Sequence, residues 1–342
     1  VDTTGDRTVA RAPTLEDVAA AAGVSRSTAS RAINSGAKVS ADAQAAVDAA
    51  VLTLGFTPNH AARALVTART NFLALVIPEP DDRVTGDPFF ASVIRGLGQA
   101  LDDTEFAMVL LLARRGDTAD KTMRYLRHGH VDGAVVVSHH ATDTIERALA
   151  ASRLPAVFVG RPWHAPDAFS YVDTDNHHGA ELATAHLVTG GRQRIGTVAG
   201  PADMIAAVDR LEGWSTALAT AQLPRNAVEH GDFTTEGGAA AARRLLERNP
   251  DLDGIFVAND LMAVGVLDVL RSRGRSVPGD VAVVGYDNAA LSAVSDPPLT
   301  TVVNPVADMA RIAGTVLMGR VHGNPVGAPT IFPPSLVLRA SA

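Results

Sequence analysis

Hydrophobic and polar positions divide the chain into segments of different rhythm. Residues 1–13 are polar and carry no periodicity, which predicts a disordered arm. From Thr14 the rhythm is helical: Leu15, Val18, Ala19 and Ala22 fall on one helix face. Thr14 precedes them with Asp17 three residues on, a variant of the capping box, and Gly23 ends the run. Ser25 is placed to cap a second helix with Ala29, Ala32 and Ile33 inward. Asn34-Ser35-Gly36 breaks the chain. Ser40 is placed to cap a third helix with Val47, Ala50, Val51 and Leu54 inward and Gly55 at its end. Residues 14–58 therefore read as an all-α domain.

Beyond residue 71 short apolar runs alternate with amphipathic helices such as Asn176–Thr189 and Gly237–Arg248. The predicted strands are Phe72–Ile77, Phe106–Leu112, Gly133–Val137, Ala156–Val159, Arg194–Ala199, Gly254–Ala258, Val281–Tyr286 and Leu336–Arg339. Continuous apolar strands between helices imply parallel sheets covered on both faces. The segment is too long for one small sheet, and two similar halves fit it better.

Positions 26, 27, 30 and 31 lie opposite the apolar stripe of the second helix, and they are Arg26, Ser27, Ser30 and Arg31. Arg bonds bidentately to guanine, and Ser bonds to bases or phosphates. A helix, a tight Gly turn and a second, polar-faced helix form a helix-turn-helix, whose second helix enters the major groove. An ordinary three-helix bundle with a solvated face fits the same periodicity. The next segment reads TPNHAARALV, with Pro58 as a helix-start signal and Asn59 as N-cap. Isolated helices below ~12–15 residues are marginal in water, so this one needs a partner to form. Its Leu65 fits either a small local core or an apolar wedge between base steps of the minor groove.

Composition narrows the classes. The hydrophobic fraction is 46%, and cysteine is absent, which excludes disulfides and thiolate chemistry. The longest apolar runs, such as FLALVIP (Phe72–Pro78), fall short of the ~20 residues of a membrane helix. The first residues lack the apolar core of a signal peptide, so a cytoplasmic protein without membrane contact is expected. No dinucleotide or phosphate-binding glycine motif follows a strand, and no zinc-protease motif occurs. Gly213-Trp214-Ser215-Thr216-Ala217 looks like a nucleophile elbow only superficially, because its pattern is helical. His177-His178 and His128-x-His130 lack a completing carboxylate, and no catalytic residue, metal or cofactor is expected. The net charge of −7 argues against nucleic acid until it is divided. Residues 1–70 hold 7 Lys+Arg against 6 Asp+Glu, whereas residues 71–342 hold 23 against 31. The acidity belongs to the larger segment.

TLEDVAAAAGVSRSTASRAIN followed by VSADAQAAVDAAVLTLGFTPNHAARAL resembles, without a gap from Thr14 to Leu65, the DNA-binding headpiece and hinge of the lactose-repressor/galactose-repressor (LacI/GalR) family. The resemblance implies an N-terminal all-α helix-turn-helix headpiece plus hinge helix. A C-terminal α/β two-lobed, periplasmic-binding-protein-like (type I) effector domain would follow. It implies that Arg26 and Ser27 read bases, that Arg31 reads bases or phosphates, and that Ser25, Thr28, Ser30 and Asn34 contact phosphates. Asn59, Ala62, Arg63 and Leu65 fall in the hinge helix, with Leu65 on the leucine that wedges into the centre of a palindromic operator. The domains expected are an arm over 1–13, a DNA-binding domain over 14–58, a hinge and linker over 59–71 and an effector-binding, dimerising domain over 72–342. Lobe one would comprise about 72–173 and 304–330, and lobe two about 174–303 and 331–340.

By the same resemblance, the effector sits between the lobes at the carboxyl ends of the strands. The candidate contacts are Phe89 and Phe90 in DPFF, with one of the two expected in the core, and His139, beside His140. Arg161 and Trp163 follow another strand. Arg210 belongs to an R-x-x-G-[FW] pattern, Phe233 to GDF, Asn259 to a strand end, Asp287 to GYDN and Asn304 to a crossover. Arg210 pairing with Glu212 on a surface, and Asn259 or Asp260 capping the next helix, are the bland alternatives. The donor fork, acceptors and aromatic faces suit a sugar or polyol. A nucleoside also fits, and two arginines, Arg161 and Arg210, would tolerate an acidic sugar. The function expected is a transcriptional regulator, a repressor, binding double-stranded operator DNA as a homodimer under allosteric control by a small molecule. A purine- or nucleoside-responsive co-repressor system is the alternative, followed by a sugar-binding protein without regulatory role. The chain ends after its last strand, without the C-terminal heptad helix of tetrameric relatives, so a dimer is expected.

Overall fold

The structure, a computed structural model, describes residues 11–34, 39–57, 69–113 and 117–342. The chain forms two compact units divided between Thr70 and Asn71. The hinge residues Asn59, Ala62, Arg63 and Leu65 lie outside the described residues, as does the arm up to residue 10. Arg11 is described, and its guanidinium donates to Asp17.

In the first unit the helices are α1 (Leu15–Ala21), α2 (Arg26–Ile33) and α3 (Ala41–Leu54). The capping box closes as its spacing predicts: Asp17 N–H donates to Thr14 Oγ1, and Thr14 N–H donates to the Asp17 carboxylate at 2.8 Å. Ser25 and Ser40 cap α2 and α3, and Gly55 ends α3 in the left-handed conformation. Val18, Ala19, Ala29, Ala32, Val47 and Ala50 form the buried core. These are small residues, so the helices approach closely and only a modest apolar area is buried.

The second unit holds two six-stranded sheets. The first is built from β1 (Phe72–Ile77), β2 (Ala107–Leu112), β3 (Gly133–Val137), β4 (Ala156–Val159), β5 (Ser170–Thr174) and β11 (Thr330–Phe332). Its order is β11-β5-β4-β3-β1-β2, all parallel. The second is built from β6 (Ile195–Ala199), β7 (Val228–His230), β8 (Gly254–Val257), β9 (Ala282–Asp287), β10 (Thr300–Val303) and β12 (Leu336–Val337). Its order is β12-β10-β9-β8-β6-β7, parallel apart from β12.

Helices cover both faces, so each apolar strand splits its side chains between two cores. Leu73, Leu75 and Ile77 of β1 join α5 (Pro88–Leu101) and α13 (Val306–Val321). Ala74 and Val76 face the other way, toward residues of α6 (Asp117–Arg127) and α7 (Ile145–Ala150). In the second sheet Ile255 and Val257 meet α10 (Thr235–Arg248) and α11 (Asp260–Ser272). Phe256 meets α8 (Asn176–Thr189) and α9 (Ile205–Thr220). This burial on both faces is why the strands read as continuous apolar runs. Two further short helices are α4 (Asp81–Gly86) and α12 (Ala290–Val294).

Four strands escape the sequence pattern: β5, β7, β10 and β11. They are short, or rich in Ser, Thr and Asp, and gain their place from their neighbours. The last strand stops at Val337 rather than Arg339, because Arg339 N–H donates to the Thr300 hydroxyl instead of a ladder carbonyl. The chain passes between lobes around 174–176, 303–306 and 332–336. The third passage lies beyond Phe332, not at 330, because Thr330–Phe332 pairs with β5 of the first sheet. Asp175 N–H donates to the Phe332 carbonyl at 3.1 Å, which ties two of the passages together.

Ser215 lies in the interior of α9, so GWSTA forms no strand-to-helix turn. Its Gly213 serves packing: a Cβ there would stand 2.1 Å from the His177 carbonyl oxygen on α8. Trp214 beside it is buried core.

Candidate functional sites

The face expected to meet DNA is solvent-exposed. Arg26, Ser27, Arg31 and Asn34 are exposed on or just after α2, with Ser25 at its start and Thr28 and Ser30 half-buried. Several of these groups are engaged locally. Ser25 Oγ accepts from Thr28 N–H, Arg31 Nε donates to the Ser27 carbonyl at 3.1 Å, and Asn34 Nδ2 donates to the Ser30 carbonyl at 2.8 Å. Arg26 Nε lies 2.6 Å from Glu16 Oε1, with both side chains largely exposed. Such an exposed pair is worth ~0–1 kcal/mol, little enough to be exchanged for a stronger anion or base. No acidic residue occupies the first turn of α2, so its N-terminal N–H groups remain hospitable to phosphate.

The second site lies between the lobes, where strand ends from both sheets converge on a cavity of about 100 Å³. Phe89, His139, Arg210, Phe233, Asn259, Asp287 and Asn304 line it, where the resemblance implies they should be. A larger cavity of about 410 Å³ adjoins it, with Asp87, Phe89, Asp287 and Asn304 lining both.

Arg210 organises the inner cavity. Its Nε donates to Asn176 Oδ1 at 2.8 Å and its Nη1 to the Ala258 carbonyl at 2.6 Å. Nη1 also stands 3.7 Å from Asp287 Oδ1, and the guanidinium lies 3.6 Å over the Tyr286 ring. The guanidinium is thus buried and held on three sides, not paired with Glu212. Asn304 Nδ2 donates to Asp287 Oδ1 at 3.0 Å, and the buried Asn304 Oδ1 has no hydrogen-bond partner. Burial pushes the Asp287 carboxyl up to about 6, against the pull of Arg210 and Asn304. Burial also raises Asp173 to about 6, although it accepts from the backbone N–H groups of Arg161 and Thr174. His139 is buried, and burial drives its imidazole down to about 4, so it is neutral near pH 7. Both ring nitrogens of His139 are enclosed, and the nearby Arg161 backbone and Glu146 carboxylate only partly offset the effect of burial.

Backbone strain gathers at the same place. Ser138, Phe233, Asp287 and Asn288 all have positive φ, 110° for Asp287. Such conformations cost ~1–3 kcal/mol each and persist where the surroundings enforce them. Asn259 is one enforcer: its Oδ1 caps α11 through Met262 N–H, while its Nδ2 donates to the Phe233 carbonyl. Gly200 is another, since a Cβ there would stand 2.3 Å from the Phe233 ring.

Three expected contacts are corrected. Phe90 is fully buried in the core of the first lobe, with only Phe89 at the cavity. Consecutive helix positions point ~100° apart, so one of the two rings had to turn inward. Arg161 does not line the cavity: its Nη2 donates to both oxygens of Asp209 on α9, at 2.6 and 2.7 Å. Trp163 is half-buried outside the cavity. The buried Glu146 carboxylate collects the backbone N–H groups of Trp163, His164 and Ala165 and folds that loop away. Conversely, Arg83, Ser138, Asp173, Asn176, Met204 and Met309 line the cavity without having been expected. The D-T-D-N run that ends β5 and enters α8 holds the only sequence signal among them, hidden because β5 itself has no apolar pattern.

Among the described residues, no group of three or more His, Asp or Glu is placed to hold a metal ion. No helix of those residues is long and apolar enough to cross a membrane.

A helix-turn-helix on the same chain as a two-lobed α/β body with a buried polar cleft defines a DNA-binding regulator governed by a small molecule. Family models agree at both ends. Residues 14–59 match the bacterial regulatory proteins of the lacI family, and residues 184–342 match the periplasmic binding protein-like domain. The HTH-type transcriptional regulator CelR of Thermobifida fusca is 44% identical over 316 residues, 92% of this chain and 93% of that protein. The ribose operon repressor of Bacillus subtilis (strain 168) is 30% identical over 94% of this chain and 95% of its own. Among solved structures, a CelR–cellobiose complex is similar with a TM-score of 0.78 and 40% identity, covering 96% of this chain and all of that one. The lac repressor dimer bound to operator and the anti-inducer ONPF is similar with a TM-score of 0.87 and 27% identity, covering 97% and 99%. The chain belongs to the lacI family of bacterial regulatory proteins, and it is a DNA-binding transcriptional regulator.

Proposed function

We propose that this protein is a cytoplasmic, homodimeric repressor without enzymatic activity, which reads a palindromic operator and responds to a neutral sugar bound between its lobes. In this reading residues 14–58 bind DNA, 59–71 form the hinge and linker, and 72–342 bind effector and dimerise. Arg26 and Ser27 read bases, Arg31 reads bases or phosphates, and Ser25, Thr28, Ser30 and Asn34 contact phosphates. Leu65 wedges into the operator centre, with Asn59, Ala62 and Arg63 in the same hinge helix. A dimer doubles the phosphate and base contacts, which a single small headpiece needs for specific affinity.

The observation that carries the effector half is the convergence of donors and acceptors on one cavity: His139, Asn259 and Asn304, with Asp287 fixed beside Arg210. Hydroxyl groups, each donor and acceptor, meet that set, and the Phe89 and Phe233 rings supply apolar faces. An anionic sugar fits less well. Arg161 is committed to Asp209, Arg210 is balanced by Asp287 and Arg83 is paired with Glu79, so each of these arginines already faces a carboxylate. The CelR–cellobiose likeness makes cellobiose the first sugar to try. Effector binding shifts operator affinity through a difference in affinity between two lobe arrangements, ~1–3 kcal/mol of coupling.

Gel shift on a palindromic operator, with cellobiose, other neutral sugars and nucleosides added in turn, tests the reading. A sequence-specific shift whose affinity changes several-fold with one sugar supports it. No specific shift removes the regulatory half. A shift altered only by a nucleoside transfers the cleft to that ligand.

A further inference from the structure

The three passages of chain between lobes all lie at one side of the sheets. They leave or enter β5 and β11 in the first sheet and β10 and β12 in the second, the strands at the beginning of each order. The opposite side of the cleft carries no covalent connection. There the fifth strands, β1 and β6, are followed by Glu79 and Asp203, and His140 stands between them. His140 Nε2 is 3.2 Å from Glu79 Oε1, and Nδ1 is 2.9 Å from Asp203 Oδ1 on the other lobe. Ala141 N–H donates to the Asp203 carbonyl at 2.8 Å, again across the cleft. Arg83 pairs with Glu79 at 3.0 Å and places its guanidinium 5.5 Å from the centre of the Phe233 ring on the second lobe. Arg161, from the end of β4, adds its two-oxygen contact to Asp209 of α9.

We infer that these cross-lobe contacts form a clasp, in which Arg161–Asp209 and His140–Asp203 hold the lobes closed and so set effector affinity and release without touching the effector. The inference rests on the reading of the cleft as the effector site. Its physical basis is that a ligand which binds only the closed arrangement has its affinity scaled by the closed fraction. A contact made only in the closed arrangement raises that fraction, whichever ligand enters. The charges are arranged for it. Each lobe-one cation, Arg161 and His140, meets a lobe-two carboxylate, and these pairings oppose the like-charge approaches of Asp173 to Asp209 and of Asp87 to Asp287 across the cleft. Burial disfavours charge on His140, yet the flanking Glu79 and Asp203 carboxylates outweigh it and favour the imidazolium. The clasp also assigns a role to Arg161: it positions the lobe rather than the ligand.

The chain lacks cysteine, so Asp82→Cys on the first lobe and Glu236→Cys on the second, both exposed, accept spin labels uniquely. The distance between the labels is measured in the ligand-free full chain, with and without Asp209→Asn or Asp203→Asn. Expected is a longer or broader distribution in each variant. Identical distributions overturn the clasp, whatever ligand the cleft takes. With cellobiose as probe, Arg161→Met is expected to weaken binding about tenfold and to speed release. The exchange Arg161→Asp with Asp209→Arg is expected to recover most of the loss, which a merely local structural role would not. A faster release without recovery by the exchange, or no change in release, counts against the clasp. If the wild type binds no cellobiose while the label distances respond, the clasp stands and only the choice of sugar fails.

Discussion

The headpiece and the cleft are two polar sites built on opposite terms. On α2 the polar side chains point to solvent and spend their hydrogen bonds on their own helix, as Arg31 does on Ser27 and Asn34 on Ser30. In the cleft they are buried and spend them on residues far away in sequence, as Arg210 does on Asn176 and Ala258. An exposed face loses little when a partner replaces its local bonds. A buried set must be nearly complete before the ligand arrives, and what it leaves unspent defines the ligand. The headpiece is therefore a site of exchange, and the cleft is a preformed mould.

The largest test of that contrast is Arg210→Ala. Removing one member of a buried pair leaves Asp287 and Asn176 uncompensated, which costs ~3–5 kcal/mol. Urea denaturation should show the loss in the second unit, and calorimetry should show no cellobiose binding. On the exposed face, Arg26→Ala should cost ~1–3 kcal/mol of operator discrimination and nothing in stability beyond a few tenths. A comparable loss on non-specific DNA would reassign Arg26 to the backbone.

The cleft should also titrate where the headpiece does not. Asp287 carries its proton up to about 6, well above its unfolded range, so the carboxylate that accepts from a hydroxyl is scarce below that pH. Cellobiose affinity should rise roughly tenfold between about pH 5 and about pH 7, and Asp287→Asn should flatten the profile. A profile that falls over this range would reverse the acceptor role. Ser25→Ala removes the cap of α2 and should destabilise the headpiece by ~1 kcal/mol, read by its thermal midpoint. The smallest effect is expected for Glu16→Gln: stability within ~0.5 kcal/mol, and operator affinity slightly higher because Arg26 is released. A loss of operator affinity would mean that Glu16 orients Arg26 rather than competing for it.

The two sites also differ in how they appear in the sequence. The helix starts at Thr14, Ser25 and Ser40 and the inner stripes of α1 to α3 follow from local spacing alone. So does exposure of Arg26, Ser27 and Arg31, because a helix face is decided within one or two turns. In the cleft, the resemblance to the family's motifs placed Arg210, Phe233, Asn259, Asp287 and Asn304 at the cavity, but did not say what they do there. Asn259 turned out to cap α11 and hold Phe233, doing the structural work its position also allowed. Arg161 and Trp163 follow a strand as the others do, and nothing in their neighbourhood reveals that Asp209 and Glu146 draw them away. Asp173 and Asn176 were missed because β5 is recognisable only beside β4 and β11.

The sequence by itself determined the two classes of secondary structure, the paired cores of the larger unit and the polar face of α2. These depend on periods of 3.6 and 2.0 residues and on caps a few residues away. Only the tertiary structure decided which of two adjacent phenylalanines faces the cavity, which arginine lines the cavity and which meets Asp209, and which histidine is neutral. Those outcomes depend on carboxylates and carbonyls brought close from distant parts of the chain. Burial then magnifies their effect, because the low-dielectric interior leaves no water to substitute for a missing partner.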